Sequence, residues 1–158
     1  MRNQLAMLVM LAIAACSHPP PPAAPVVVVP KKTRLSILPA ESDAFPKAAK
    51  ALTESLTSAH VSGVDDTQIS KVSLEVVQLS IECVDATVAC FQAAGRSLSA
   101  NQLLFAQISA EPKKHLRVTV TLFDVDTQTA KKTQEKVFAN DTEATAGVAE
   151  LVSEATKP

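Results

Sequence analysis

Strict alternation of apolar and polar residues in the second half of the chain predicts strands with one buried face. It is clearest in residues 114–125 (KHLRVTVTLFDV), which precede a polar turn at 126–129 and a partner strand around 133–138. Residues 101–109 (NQLLFAQIS) are apolar at consecutive positions, as expected of a central strand covered on both faces. The inward positions of the alternating strand are Leu116, Val118, Val120 and Leu122. These runs predict three neighbouring strands, of which the last two form a hairpin.

The segment at residues 69–83 (ISKVSLEVVQLSIEC) fits two patterns. The positions that alternate as in a strand are Val72, Leu74 and Val76. The positions with helical spacing are Leu74, Val77 and Ile81. We predict a helix, in which the second set faces the core.

Clearer helical spacing marks residues 42–59, residues 86–100 and a last helix that starts at Asn140. Asn140 and Glu143 have the spacing of a capping box, which predicts the start of that last helix. The residues expected to face the core are Phe45, Ala48, Ala49, Leu52 and Leu56 in the first helix, Val88, Phe91 and Ala94 or Gly95 in the second, and Val148, Leu151, Val152 and Ala155 in the last.

Two more strands complete the predicted order. Residues 33–38 (TRLSIL) alternate, and a short strand is expected near residues 60–64. The order is then β-α-β-α-α-β-β-β-α. This order predicts an α/β fold of one domain, a mixed β-sheet with helices packed on it.

The composition argues against several classes of function. The formal net charge is −1, which disfavours nucleic-acid binding through bulk electrostatics. The chain has no Trp or Tyr and only 5 Phe, so aromatic platforms for sugars or bases have few residues to use. Phosphate-cradling glycine loops and the common hydrolase and metalloprotease motifs do not occur in the sequence. We therefore expect a protein that is not an enzyme and has no cofactor.

Residues 1–15 have the character of a targeting segment, with Arg2 before a short apolar run. The run closes on Ile13-Ala14-Ala15-Cys16, which resembles a bacterial lipobox. The resemblance implies cleavage before Cys16 and acylation of that cysteine, for example with palmitate, so that the mature chain is a lipoprotein with a membrane anchor. An ordinary secretory signal peptide is the alternative. Ser17 in place of Asp implies, by similarity to enterobacterial sorting, the outer membrane.

Residues 16–32 contain the predicted lipidated Cys16 and a proline-rich linker, and residues 33–158 form the predicted periplasmic domain. Because proline fixes φ, we expect an extended tether that holds the domain about 50 Å from the bilayer. Four successive valines, residues 26–29, could instead pair as a strand or bind a partner, although a plain spacer is favoured.

Cys83 and Cys90 are the one remaining cysteine pair if Cys16 carries lipid. In an oxidising compartment, an even pair favours a structural disulfide. Free thiols and a metal or redox site are the alternatives. A metal site would need two more ligands, for which His60 and His115 are the candidates in the domain, and we predict none.

The two histidines and an acidic pair are the other candidate groups. We expect His60 to be half-buried and hydrogen-bonded, without a catalytic role. His115 lies in a basic run (KKHLR) that could contact an anionic polymer, although a solvated strand end is favoured. Asp124 and Asp126 resemble the start of a calcium loop but lack its later residues, so a polar hairpin turn is predicted.

A resemblance to known envelope proteins rests on residues 81–129, from the cysteine pair through a helix, a buried strand and an Asp-containing turn. This stretch is similar to a fold group that includes the amino-terminal domain of TolB, the curli-secretion lipoprotein and activators of peptidoglycan synthases. Ser99-Ala100-Asn101 stands where relatives often have Gly-Ala-Asp. The resemblance implies a binding domain and assigns no functional residue.

The expected function is a non-enzymatic lipoprotein at the periplasmic face of a bacterial outer membrane. Acylated Cys16 contacts the membrane, and the domain binds a protein partner in an envelope complex. The alternatives are a subunit of an outer-membrane secretion or transport assembly and an activator of a peptidoglycan synthase. No nucleic-acid partner is expected.

Overall fold

The computed structural model describes residues 32–83 and 85–158. The predicted signal peptide of residues 1–15, Cys16 and the linker up to residue 31 lie outside the described residues. Val84, between the two cysteines of the predicted pair, is also outside them.

Five strands form one mixed sheet in the order β2-β1-β3-β4-β5. β1 pairs in parallel with β2 and with β3, whereas β3, β4 and β5 follow one another in antiparallel pairs. The strands are β1 Arg34–Ile37, β2 Asp66–Ile69, β3 Gln102–Ala110, β4 Leu116–Asp124 and β5 Thr129–Phe138. The predicted fold class and element order are confirmed.

Helices cover both faces of the sheet. The helices are α1 Pro46–Thr57, α2 Leu74–Ser80, α3 Val88–Ser97 and α4 Asp141–Thr156. α1 and α4 bury their apolar sides against one face, which we call the first face. α2 and α3 do so on the second face. Along β3, Leu104 and Ala106 belong to the first core while Leu103 and Phe105 belong to the second, which explains the unbroken apolar run.

The second strand differs from the sequence prediction. It lies at Asp66–Ile69, while residues 60–65 form a turn in which Gly63 has φ +77°. Three of the four β2 residues are exposed, so the strand has no apolar alternation from which it could be recognised.

The inward face of α3 also differs at one position. Val88 is 49% exposed, and Cys90 is buried instead, together with Ala94 and Gly95. Val88 and Cys90 are two residues apart, about 200° around the helix, so they cannot both face the sheet. Phe91 is partly buried against the second core, as predicted.

Across the described residues, none of the helices has the length and apolar character required to cross a membrane.

Candidate functional site

Exposed apolar side chains are concentrated in one stretch of the described chain. Of the six large apolar residues that are exposed, five lie between residues 69 and 88. They are Ile69, Val72, Val76, Leu79 and Val88, and the sixth is Val137. Val76 and Leu79 are three residues apart and share one side of α2, and Val72 lies two residues before the helix begins. We call these three residues the α2 surface; Leu79 is the most exposed of them, at 66%.

The opposite side of α2 fixes the orientation of this surface. Leu74 and Val77 are buried in the second core. Ser73 caps the helix, because its hydroxyl accepts a hydrogen bond from the Val76 backbone N–H at 3.4 Å. The same hydroxyl donates to Glu41 Oε2 at 2.9 Å, which ties the start of the helix to the chain after β1. With its inner side and its first turn held, α2 presents Val76 and Leu79 to solvent.

Cys83 and Cys90 form a disulfide in the structure and link the end of α2 to the start of α3, with Cα atoms 5.7 Å apart. The Gln78 side-chain amide donates to Cys90 Sγ at 3.2 Å, and the Cys83 N–H donates to the Gln78 carbonyl at 2.8 Å. Gln78 and Cys90 are both buried. The pair therefore holds the loop beside the α2 surface. Oxidation of this pair in the exported protein stays a prediction, with free thiols as the alternative.

Carboxylates border the α2 surface. Residues 65–88 contain five acidic residues and one lysine, Lys71. Glu75 is four residues before Leu79 on α2, and Glu82 follows the end of the helix, three residues after Leu79. Within the described part of the chain, neither of them, nor Asp85, forms a salt bridge. The α2 surface is therefore apolar and is bordered by carboxylates.

A groove of about 820 Å³ lies between α1 and α4. Its lining is mainly small and hydroxyl-bearing: Ser55, Ser58, Ser62, Thr145, Ser153 and Thr156, with Ala51, Ala59 and Ala149. His60 also lines it. The prediction for His60 was wrong on burial, because the side chain is exposed, and no hydrogen bond to it occurs among residues 32–83 and 85–158. It lies three residues after the end of α1, outside any helix or strand, and its side chain lines the groove instead of entering the core.

The basic run beside His115 forms a tight connection between β3 and β4. Its Lys113 and Lys114 both have positive φ, and the backbone N–H of His115 donates to the Pro112 carbonyl at 3.3 Å. Arg117, the next basic residue, donates to Glu111 and to Glu135, each at 2.8 Å. The hydrogen bond to Glu111 and the negative charges of Glu111 and Glu135 raise the pKa of Arg117. Its positive charge is thus already paired within the domain.

Asp124 forms the predicted hairpin turn. Its Oδ1 accepts hydrogen bonds from the backbone N–H groups of Asp126 and Thr127 at 3.1 and 2.8 Å. Asp126 accepts from the Asn101 side-chain amide at 3.1 Å. The two carboxylates therefore close the turn. Among the described residues, no three His, Cys, Asp or Glu side chains are grouped as metal ligands would be.

No family model and no curated protein matches the chain. Solved structures with a similar fold include the C-terminal domain of LpoB from Salmonella enterica, with a TM-score of 0.44 and 12% identity over 71% of this chain and 86% of that one. The PelC dodecamer from Paraburkholderia phytofirmans has a TM-score of 0.40 and 15% identity over 80% and 89%. TolB from Acinetobacter baumannii has a TM-score of 0.37 and 17% identity over 79% of this chain and 28% of that one. The fold group that the sequence resembles is represented among these structures. Similarity of this degree concerns the fold alone and assigns no ligand or partner.

Proposed function

We propose that this chain is a non-enzymatic lipoprotein of the bacterial outer membrane whose domain, residues 33–158, binds a protein partner in an envelope complex. The observation that carries the proposal is the α2 surface. Apolar side chains exposed singly are ordinary on a monomer, whereas a contiguous group bordered by polar residues is typical of a protein-binding site. Here one side of α2 packs in the second core, while the apolar side chains on its other side face solvent.

A binding role fits the described residues better than catalysis does. A hydrolase needs a nucleophile, a base and an oxyanion site that converge on one point. The imidazole nearest the groove, that of His60, is exposed, and it has no carboxylate to orient it among the described residues. Four hydroxyls of the groove donate instead to backbone carbonyls four residues before them: Ser55, Ser58, Thr145 and Thr156.

The anchor part of the proposal rests on the sequence around Cys16. Each buried acyl CH₂ contributes about 0.8 kcal/mol of membrane affinity, so two or three chains hold a protein durably. Cys16→Ala should remove the acylation site and move the protein from the outer-membrane fraction to the soluble periplasm. A variant that still sediments with membranes contradicts the anchor, and Cys83→Ala serves as the control for loss of a cysteine elsewhere.

The docking part is tested by a charge placed on the α2 surface. Leu79→Glu should abolish capture of the partner in pulldowns from crosslinked envelopes, made with a tag after Pro158. Val137→Glu is the matched control, because Val137 is also a large exposed residue, at 45%, and lies on β5 away from this segment. Capture should persist in the control.

Equal capture by Leu79→Glu and by the unaltered protein would show that the α2 surface is not the docking site. Thermal melting of both variants separates a loss of docking in Leu79→Glu from misfolding. The protein that is captured also decides between the alternatives, since a secretion component and a peptidoglycan synthase are different partners.

A further inference from the structure

We infer that the outer edge of β2 accepts an extended, positively charged segment of the partner protein as an added strand. This inference rests on the proposed function, because it concerns how the protein partner binds beside the α2 surface. It specifies the chemistry of the partner: an extended segment, apolar at alternate positions, with lysine or arginine between them.

The hydrogen bonds of β2 show which backbone groups face outward. Asp66 N–H donates to the Thr33 carbonyl at 3.2 Å, and Ser70 N–H donates to the Ile37 carbonyl at 2.8 Å. In a strand, successive residues direct their N–H and C=O groups to opposite sides. Thr67 and Ile69 therefore direct theirs away from β1, to the edge of the sheet.

Nothing among the described residues covers this edge. Thr67 and Ile69 are both exposed, Ile69 at 57%, and no backbone hydrogen bond from another described element reaches them. Sheet edges are ordinarily protected by charged residues, by proline or by a covering segment. The opposite edge strand follows that rule, since β5 carries Lys131, Lys132 and Lys136. β2 carries one charged residue, Asp66, and the two residues whose backbone groups face the edge are a threonine and an isoleucine.

The edge leads directly into the α2 surface. Ser70 makes a tight turn after β2, in which its hydroxyl donates to the Val72 carbonyl at 2.7 Å and accepts from the Val72 N–H at 3.1 Å. Ile69 and Val72 are three residues apart, so their Cα atoms lie within about 11 Å. Ile69 pairs with Ile37 of the first core and therefore points to the first face, whereas α2 packs on the second. An added strand would thus approach the α2 surface only where it passes the end of β2, beside Val72.

Charge defines the kind of segment that fits. Glu75, Glu82 and Asp85 are exposed carboxylates without salt bridges within the described residues. Asp66 is paired with Arg34 at 3.5 Å and is more than half exposed. A basic segment gains from these charges, while an acidic one is repelled. Backbone pairing supplies the affinity and the alternate apolar side chains supply the fit.

Two peptides of equal length test the inference: one alternates valine with lysine, and the other alternates valine with glutamate. Binding to the full chain in detergent micelles is measured by fluorescence anisotropy at low salt. We expect the lysine peptide to bind at least about tenfold more tightly than the glutamate peptide. Methylation of alternate backbone nitrogens in the lysine peptide should reduce its affinity by about tenfold, because it removes the donors of an added strand.

Variants of the chain test the same backbone pairing from the side of β2. Ile69→Pro removes an outward N–H and leaves the bonds of β2 to β1 in place, as edge strands permit. It should weaken the lysine peptide by about tenfold relative to Ile69→Ala. Glu75→Gln with Glu82→Gln should weaken it several-fold, while Glu150→Gln, an exposed glutamate on α4, should leave it unchanged. Equal binding by Ile69→Pro and Ile69→Ala, together with no effect of peptide methylation, overturns the inference.

Capture from crosslinked envelopes separates this inference from the proposed function. Loss of the partner in Leu79→Glu but not in Ile69→Pro would retain the docking surface and reject strand addition. Capture of a second copy of this chain, or of a helical segment mapped by mass spectrometry, would also reject it. Failure to capture any protein with the unaltered chain would count against the proposed function itself.

Discussion

Two glycines in helices lie where a buried side chain approaches the helix backbone closely. A Cβ at Gly95 of α3 would lie 2.3 Å from Val125 Cγ2, and a Cβ at Gly147 of α4 would lie 2.6 Å from Phe138 Cε1. No Cβ is tolerated at such distances without movement of its neighbour. Val125 and Phe138 are both buried, so neither side chain can swing away into solvent.

Gly95→Ala should therefore destabilise the protein. In an exposed helix the same change stabilises by about 1 kcal/mol. Overpacking of the core at Val125 opposes this and should leave a net loss of about 1–3 kcal/mol in the free energy of unfolding, measured by urea titration. Val125→Ala removes the clashing methyl groups, so Gly95→Ala should cost less in that background. A rise in stability from Gly95→Ala alone would contradict the close approach.

Gln102 is a polar side chain in the core that lacks part of its hydrogen bonding. It is buried at the start of β3, and its Oε1 has no hydrogen-bond partner within the described part of the chain. Leaving a buried acceptor unpaired costs about 1–3 kcal/mol. Gln102→Leu, of similar size, should raise the free energy of unfolding by about 1 kcal/mol. Gln107→Leu, at a more exposed position of the same strand, is the control and should change it little. A loss of stability in Gln102→Leu would show that the amide is satisfied.

At the scale of elements, the link between α2 and α3 depends on the cysteine pair. The bond closes a loop of eight residues, which stabilises by roughly 2.5 kcal/mol on the chain-entropy model. Cys83→Ala with Cys90→Ala should therefore unfold at lower urea concentration, and a reducing agent should shift the unaltered protein but not the double variant. Mass spectrometry of the exported protein without reductant provides the direct measurement; two free thiols would contradict the disulfide.

The sequence predicted elements wherever hydrophobic periodicity was complete. β4 and α4 bury the residues that their spacing indicated, because one face of each packs on the core. β2 was misplaced because an exposed edge strand needs no apolar alternation. The order of the strands along the chain does not show which strand lies at the edge of the sheet, since that depends on the pairing of β1 with both β2 and β3.

The α2 surface could not be predicted from the sequence either, because hydrophobic periodicity alone does not show which apolar residues are exposed. In residues 69–83, Val72, Leu74 and Val76 were evidence for a strand, and Leu74 and Val77 for a helix. The structure shows that both sets are apolar for different reasons: Leu74 and Val77 face the core, whereas Val72 and Val76 face solvent. An ambiguous pattern in a helix can thus indicate apolar residues on two sides. Only the placement of the core distinguishes the outward set.

At the scale of the whole molecule, the proposed function requires an anchor, a tether and a domain in that order. The most proline-rich part of the predicted tether, residues 19–30, has six prolines among twelve residues. At about 3.1 Å per residue it would span roughly 37 Å. In this scheme the lipid determines where the protein is retained, while the length of the tether determines which partners the α2 surface can reach.

Deletion of residues 19–30 separates these two roles. The shortened protein should remain in the membrane fraction, because Cys16 is untouched, but its capture of the partner should fall severalfold in crosslinked envelopes. Replacing residues 26–29 with four alanines keeps the length and should leave capture unchanged if the segment is a plain spacer. Loss of capture in the alanine variant would instead indicate that the valines themselves bind. Full capture by the deletion variant would place the partner close to the membrane and make reach irrelevant.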